Sequence, residues 1–298
     1  MTGKNQKILL IINPYAGQMK SRFDMFHIIN HLNSRGYITT VHCTSGRGDA
    51  TNAAITQSYG HDIVVCCGGD GTLNEVISGM IQLPGQIPIG YIPAGSTNDF
   101  ARTLDLPLKI KKSIKIISEG SPSYWDIGCM NGEKYFSYIA SFGAFTKSSY
   151  KTSQKLKNVL GHFAYILRGI SHLNEIHPYN LKITSENFVV SGSFIFGAVS
   201  NTTSIGGMMN FDKKDINLND GKFEVLLIRT PRNPLELAEI VKGLIKKRYD
   251  AHYILFFQTG HIEFEFETPA SWTTDGEFGG RYNYVKIDNM HNAVRIIK

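Results

Sequence analysis

The chain has 298 residues, enough for one large domain or two of ordinary size, with 42% apolar and 19% charged residues. That balance excludes a disordered, collagenous or coiled-coil protein, and no apolar run is longer than Ile8 to Ile12, far short of a membrane-spanning helix. The net charge of +6 suits phosphate-bearing ligands or an anionic membrane surface.

Along the chain, Ile8 to Ile12 reads as a strand ended by Asn13-Pro14, and Phe23 to Leu32 has helical spacing ended by Gly36. Tyr37 to Cys43 is a second strand and Asp49 to Gln57 a short helix. Ile63 to Cys67 is a third strand broken by Gly68-Gly69, and Thr72 to Ile81 is helical. Ile87 to Ile92 is a fourth strand, and Ser96 to Leu104 is helical again. Strand–helix alternation with short loops predicts a parallel sheet covered on both faces. After about Tyr124 the pattern changes to strands: Tyr135 to Ile139, Leu181 to Thr184, Phe188 to Val199, Phe223 to Ile228, Tyr253 to Gln258, Ile262 to Phe266 and Tyr284 to Ile287. Helical stretches interrupt them at Ser153 to Leu173 and Leu235 to Arg248. The expected fold class is therefore α/β plus β. Residues 1–125 form a parallel-sheet domain and residues 126–298 an antiparallel, sandwich-like one, whose last residues are free to return to the first domain.

Met1 to Lys7 is polar, unlike a secretory signal. Cys43, Cys66, Cys67 and Cys129 form no CxxC pair and no cluster at zinc spacing, so a reduced, cytoplasmic setting is expected. Cys66 and Cys67 end a strand and read as buried small hydrophobes.

The strongest local signal is Gly68-Gly69-Asp70-Gly71-Thr72-Leu73-Asn74-Glu75, which follows a strand and opens a helix. Glycines let backbone approach a ligand, and a helix start offers free N–H groups to an anion. Asp70 fits such a phosphate cradle if a divalent cation bridges carboxylate and phosphate. Alternatively, Thr72 and Glu75 have the spacing of a capping box. A second loop, Gly95-Ser96-Thr97-Asn98-Asp99, follows the fourth strand, and its Ser96 and Asp99 have capping-box spacing too. Parallel sheets bind ligands beyond the carboxyl ends of their strands, so the two loops can converge on one crevice. Asn13-Pro14-Tyr15-Ala16-Gly17 lies at the same edge, as does the weaker Thr44-Ser45-Gly46. No GxxxxGK[ST] is present, and no GxGxxG follows the first strand, which argues against a P-loop NTPase and an ordinary dinucleotide fold. Near the C-terminus, Asp275 and Glu277 stand two residues apart. On an extended segment they share a face and form a carboxylate pair, whereas Asp275-Gly276 alone reads as a hairpin turn. Asn217-Leu218-Asn219-Asp220-Gly221-Lys222 is either a turn or a hard-cation site.

Taken together, Gly68 to Val76 (GGDGTLNEV), Gly95 to Arg102 (GSTNDFAR), Asn219 to Lys222 (NDGK) and Asp275 to Glu277 (DGE) resemble the diacylglycerol kinase catalytic-domain family, in its bacterial lipid kinase branch. The resemblance implies an α/β nucleotide-binding domain and a β-rich second domain with the active site in the cleft between them. It implies transfer of the ATP γ-phosphoryl to a lipid hydroxyl with Mg²⁺. Carried over, Asn13, Pro14, Tyr15, Ala16, Gly17, Thr44, Gly69, Asp70, Gly71, Thr72, Leu73, Asn74, Glu75 and Ser96 are the expected ATP contacts. Asp70, Asp99 and Asp126 are expected to organise Mg²⁺ through water. Glu277 matches the proton acceptor, with Asp275 its competitor. Asp220, with the carbonyls of Asn217 and Lys222, matches a structural Mg²⁺ site. One departure is Gln18, which stands where a basic residue often follows the first glycine turn, with Lys20 nearby as a substitute.

Diacylglycerol is the leading acceptor, and a sphingoid base, ceramide, phosphatidylglycerol or undecaprenol-like alcohol remains open. NAD kinase shares GGDGT, but the separate Asn-Glu element it needs is missing. A non-catalytic nucleotide or lipid sensor on this fold conflicts with the intact acidic set. Nucleic-acid binding lacks a motif. Between Lys134 and Asn174 there is no Asp or Glu, while Lys134, Lys147, Lys151, Lys155, Lys157 and Arg168 stand among apolar residues. That stretch is expected either to dock peripherally on the inner face of an anionic membrane or to be an ordinary solvated helix. An exposed strand edge in either domain could pair two copies into a homodimer.

Overall fold

The structure is a computed structural model. It describes residues 5–17, 22–83, 85, 87–96, 98–143, 177–201, 219–246, 249 and 252–298. The chain divides into two compact units, 1–125 with 292–298, and 126–291.

The first unit contains β1 (Lys7–Ile12), α1 (Arg22–Asn33), β2 (Ile38–Cys43), α2 (Asp49–Gln57), β3 (Ile63–Gly68), α3 (Asp70–Met80), β4 (Ile89–Pro93), α4 (Asp99–Thr103) and α5 (Ile110–Glu119). The strands lie parallel in the order β4-β3-β1-β2. Ile8 to Ile12 and Ile63 to Cys67 are buried throughout, because helices cover both faces of the sheet. Alternate residues go to opposite sides. Ile8, Leu10, Ile12, Val65 and Cys67 share a core with Ile28 and Leu32 of α1 and Ile114 and Ile117 of α5. The returning tail adds a parallel partner beside β4, with Ile296 opposite Ile89.

Helix α5 was not expected from the sequence, although Ile110, Ile114 and Ile117 have the spacing of one helix face. Helix α3 begins two residues earlier than expected, at Asp70. Helix α4 begins at Asp99, not Ser96, because Asn98 takes a left-handed conformation (φ 53°) and its side chain bonds both backbone groups of Gly95.

The second unit is antiparallel. It is built from β6 (Lys134–Phe136), β7 (Ile139–Gly143), β8 (Tyr179–Ser185), β9 (Val189–Ser200), β10 (Phe223–Arg229), α6 (Pro234–Lys246), β11 (Ile254–Thr259) and β12 (His261–Thr274). Two strands cross the division: β5 (Pro122–Met130) enters this unit and β13 (Glu277–Ile297) leaves it. Strands run β11-β10-β9-β7-β12, with β8 also paired to β9 and β12. Strand β10 shows the period-two division directly. Phe223, Val225 and Leu227 join an aromatic core with Phe142, Phe264 and Trp272, whereas Leu226 and Ile228 face Ile240, Val241 and Leu244 of α6.

The expected strand from Tyr135 to Ile139 is two strands. The chain bends at Ser137–Tyr138, where successive backbone amides turn onto one carboxylate, that of Asp275. The stretch Tyr284 to Ile287 is a small part of the 21-residue β13. The expected helix from Ser153 to Leu173 lies outside the described residues. Among the described residues no helix is long and apolar enough to cross a membrane.

Candidate active site

In the first unit, the loops after all four strands meet at one edge of the sheet. They line a cavity of about 450 Å³. The β1 loop contributes Asn13, Tyr15, Ala16 and Gly17, and the β2 loop Thr44, Gly46 and Arg47. The β3 loop and α3 contribute Gly69, Gly71, Thr72 and Glu75, and the β4 loop Gly95. Of the expected ATP contacts, Pro14, Asp70, Leu73, Asn74 and Ser96 are not among the lining residues. Leu73 is on the buried side of α3, and Ser96 abuts Gly17.

Close backbone contact shapes the floor. A Cβ on Gly95 would lie 2.6 Å from Cα of Gly69, so only paired glycines let the β3 and β4 loops touch. A Cβ on Gly71 would meet no protein atom within 4 Å; it would stand in the open space where α3 presents its first amides. Asn13 ties two loops together. Its Nδ2 donates to Thr72 Oγ1 (3.1 Å), and its Oδ1 accepts from Tyr15 N (2.9 Å).

The acidic residues are engaged differently from a capping box. Glu75 reaches across to the β2 loop and accepts from Gly48 N (2.8 Å) and Ala50 N (3.2 Å), so it caps α2, not its own helix. Thr72 serves Asn13. Asp70 accepts from the amides of Asp99 (3.0 Å) and Phe100 (3.1 Å), so the carboxylate of one glycine motif caps the helix that opens the other. Asp99 keeps part of its surface exposed, yet the protein around its carboxyl pushes its pKa up, and the charge of Asp70 adds to this. Asp70 and Asp99 are carboxylates of the kind a hard divalent cation takes, but neither is among the residues that line the cavity.

In the second unit, Asp275 and Glu277 do not share a face. Asp275 (φ 48°) and Gly276 (φ 83°) form the left-handed hairpin turn between β12 and β13, so Asp275 is not extended. Its carboxylate accepts from Ser137 N (2.7 Å), Tyr138 N (3.0 Å) and Ile139 N (3.1 Å). Glu277 is exposed on β13.

Asp126 is fully buried in the same unit. Its Oδ2 accepts from Gly221 N (2.7 Å), and its Oδ1 lies 3.1 Å from Nδ1 of His291. Asn201 donates to its carbonyl (2.7 Å). The Asp126 carboxylate thus seats the Asp220-Gly221 turn. Asp220 itself is exposed and accepts from Lys222 N (3.0 Å), the turn reading of that segment. Asn217 lies outside the described residues, and among those described no group of three or more metal-ligating side chains occurs. The structural Mg²⁺ set is therefore represented only by Asp220 and Lys222.

Sequence reasoning missed Arg47, His291 and Asn201. Arg47, set between Gly46 and Gly48 at a strand end, carried a usable signal; His291, 165 residues from its partner, carried none. Lys134, one of the cations of the stretch expected either to dock on a membrane or to be solvated, bonds the carbonyl of Gly279 and the hydroxyl of Tyr282. Lys147, Lys151, Lys155, Lys157 and Arg168 lie outside the described residues, as do Gln18 and Lys20.

Comparison with known proteins adds the following. Residues 7–130 match the family model of the diacylglycerol kinase catalytic domain. A diacylglycerol kinase of Bacillus subtilis (strain 168) is 32% identical over 279 residues, 91% of this chain and 89% of that one. One from Staphylococcus aureus (strain MRSA252) is 32% identical over 285 residues, 94% and 89% of the two chains. The crystal structure of a diacylglycerol kinase from Bacillus anthracis str. Sterne superposes with a TM-score of 0.74 at 23% identity, covering 98% of this chain and 96% of that one. At that identity the last match speaks for the fold alone.

Proposed function

We propose, for a chain that belongs to the diacylglycerol kinase family, Mg²⁺-dependent transfer of the ATP γ-phosphoryl to the hydroxyl of diacylglycerol, giving phosphatidic acid. Membership makes the chain an ATP-dependent lipid kinase. The observation that carries the reading is the cavity at the sheet edge, where the paired glycine loops and the start of α3 meet.

Phosphoryl transfer asks a protein mainly for positioning and charge neutralisation. In this reading the amides at the start of α3 hold the phosphates, with Gly71 leaving room for them. Asp70 and Asp99 would hold Mg²⁺, which when bound neutralises charge on the transferring group. Glu277 takes the proton of the acceptor hydroxyl as its oxygen bonds to phosphorus and ADP leaves. Asp275, clamped on three amides, keeps the hairpin that presents Glu277. The acceptor is a membrane lipid, so we place the reaction at an anionic surface, in keeping with the net charge of +6.

The test is transfer of radiolabelled γ-phosphate to lipid alcohols in mixed micelles, with Mg²⁺ and no-acceptor controls. Label is expected in phosphatidic acid. Glu277→Gln is expected to lower turnover by about 10²–10⁴-fold with ATP affinity unchanged. Label in a different lipid would change the substrate and keep the mechanism. Full turnover in Glu277→Gln would remove its role as base.

A further inference from the structure

The ATP cavity contains one charged group that the kinase reading leaves unused. Among the described residues that line it, Arg47 is the only cation. It is exposed, and no carboxylate among the described residues forms an ion pair with it. Glu75 lines the same cavity, but its two oxygens hold Gly48 N and Ala50 N.

The loop that carries Arg47 is pinned on both sides. Glu75 anchors its far end. Asp49 accepts from Ser45 N (2.7 Å) and Ser45 Oγ (2.8 Å) across its near end. Arg47 stands between these anchors, flanked by Gly46 and Gly48. The loop is therefore ordered without help from Arg47, so structure alone does not explain a cation there.

Its position along the sheet edge gives it a role. The strands run β4-β3-β1-β2, and neighbours stand roughly 4.8 Å apart, so the β4 and β2 loops are about 14 Å apart, comparable to the length of a nucleoside triphosphate. The anion-binding features, the start of α3 and the paired Gly69 and Gly95, lie at the β3–β4 end. A nucleotide with its phosphates there has its base at the β1–β2 end. Tyr15, 86% exposed, and Arg47 both line that end.

A guanidinium is planar and weakly hydrated, and it stacks well on an aromatic face. We propose that Arg47 stacks on the purine ring of the bound nucleotide and is a specificity-determining residue for the base, not a phosphate ligand. This deepens the kinase reading and rests on it.

The test measures, by calorimetric titration, binding of ATP and of inorganic tripolyphosphate to the full chain and to Arg47→Ala and Arg47→Lys. Arg47→Ala is expected to weaken ATP about tenfold and leave tripolyphosphate unchanged. Arg47→Lys, lacking the plane, is expected to recover only a small part of that loss. Unchanged ATP affinity in Arg47→Ala overturns the proposal. Equal weakening of both ligands also overturns it, by placing Arg47 on the phosphates. In either case wild-type ATP binding and lipid phosphorylation stand untouched. A wild-type chain that binds no ATP takes down the kinase reading and this one together.

Discussion

Asp275 and Glu277 stand two positions apart in similar sequence surroundings, yet their environments divide them. Asp275 has three amides on its carboxylate, and taking a proton would cost it those bonds. Glu277 is exposed and carries no such burden, which is why we propose it, and not Asp275, as the base. Asp99 illustrates the opposite case, a carboxylate under strain. Partial burial, and then the charge of Asp70, hold its pKa above the ordinary 3.8. The native state therefore keeps this proton to higher pH than the unfolded chain does. The resulting stabilisation is complete below the unfolded pKa and is lost as pH rises through the native one. Asp99→Asn is thus expected to be more stable than wild type at pH 7 without Mg²⁺, with the gap closing as the pH falls toward 3.8. Urea denaturation at the two pH values checks this, and an equal gap at both would refute it. The acidic character of these positions was legible in the sequence, but their different duties were not, because each duty depends on which amides arrive from elsewhere.

At the scale of elements, the two glycine motifs behave as one device. Asp70, from the first, caps the helix opened by the second, and Glu75 caps α2. Their glycines have different tasks. Gly95→Ala would drive a methyl to 2.6 Å from the backbone of Gly69, so it is expected to cost about 1–3 kcal/mol of stability and to weaken ATP as well. Gly71→Ala meets no protein atom. It is expected to leave stability unchanged or slightly raised, since alanine favours the helix, while abolishing ATP binding by filling the cradle. Thermal melts with nucleotide titrations separate the two cases. ATP binding by Gly71→Ala at the wild-type level would move the phosphates away from α3.

The whole molecule is two units, and the first is not continuous in sequence. Residues 292–298 belong to it, and Val294, Ile296 and Ile297 are at most 3% exposed. Each such side chain contributes about 1.5–3 kcal/mol by burial. Together they approach the total stability of a typical domain, roughly 5–15 kcal/mol. A chain ending at His291 is therefore expected to lose the cooperative unfolding of the first unit, and ATP binding with it. The two tryptophans report separately, Trp125 from the first unit and Trp272 from the second. Replacing either by Phe lets fluorescence follow one unit at a time. The Trp125 signal is expected to melt early in the shortened chain while the Trp272 signal holds. A Trp125 transition at the wild-type temperature would show that the tail is dispensable.

Local chemistry was readable without coordinates. Apolar runs on the strands, glycines at their ends and acids beside those glycines each act through near neighbours, so one stretch of chain suffices to announce the alternating α/β stretch, the strand-rich stretch and the four loops that line the cavity at the sheet edge. Partnership was decided only on folding. The amides that occupy Asp275 come from 136 to 138 residues away, and His291 meets Asp126 across 165. Glu75 could have closed a capping box with Thr72 and instead holds a loop 25 to 27 residues upstream. Arg47 came to line the cavity when strand order set its loop at the far end of it. Side-chain hydrogen bonds are directional and reach only about 3 Å, so which donor an acid finds is a property of the assembled backbone, not of its sequence neighbours.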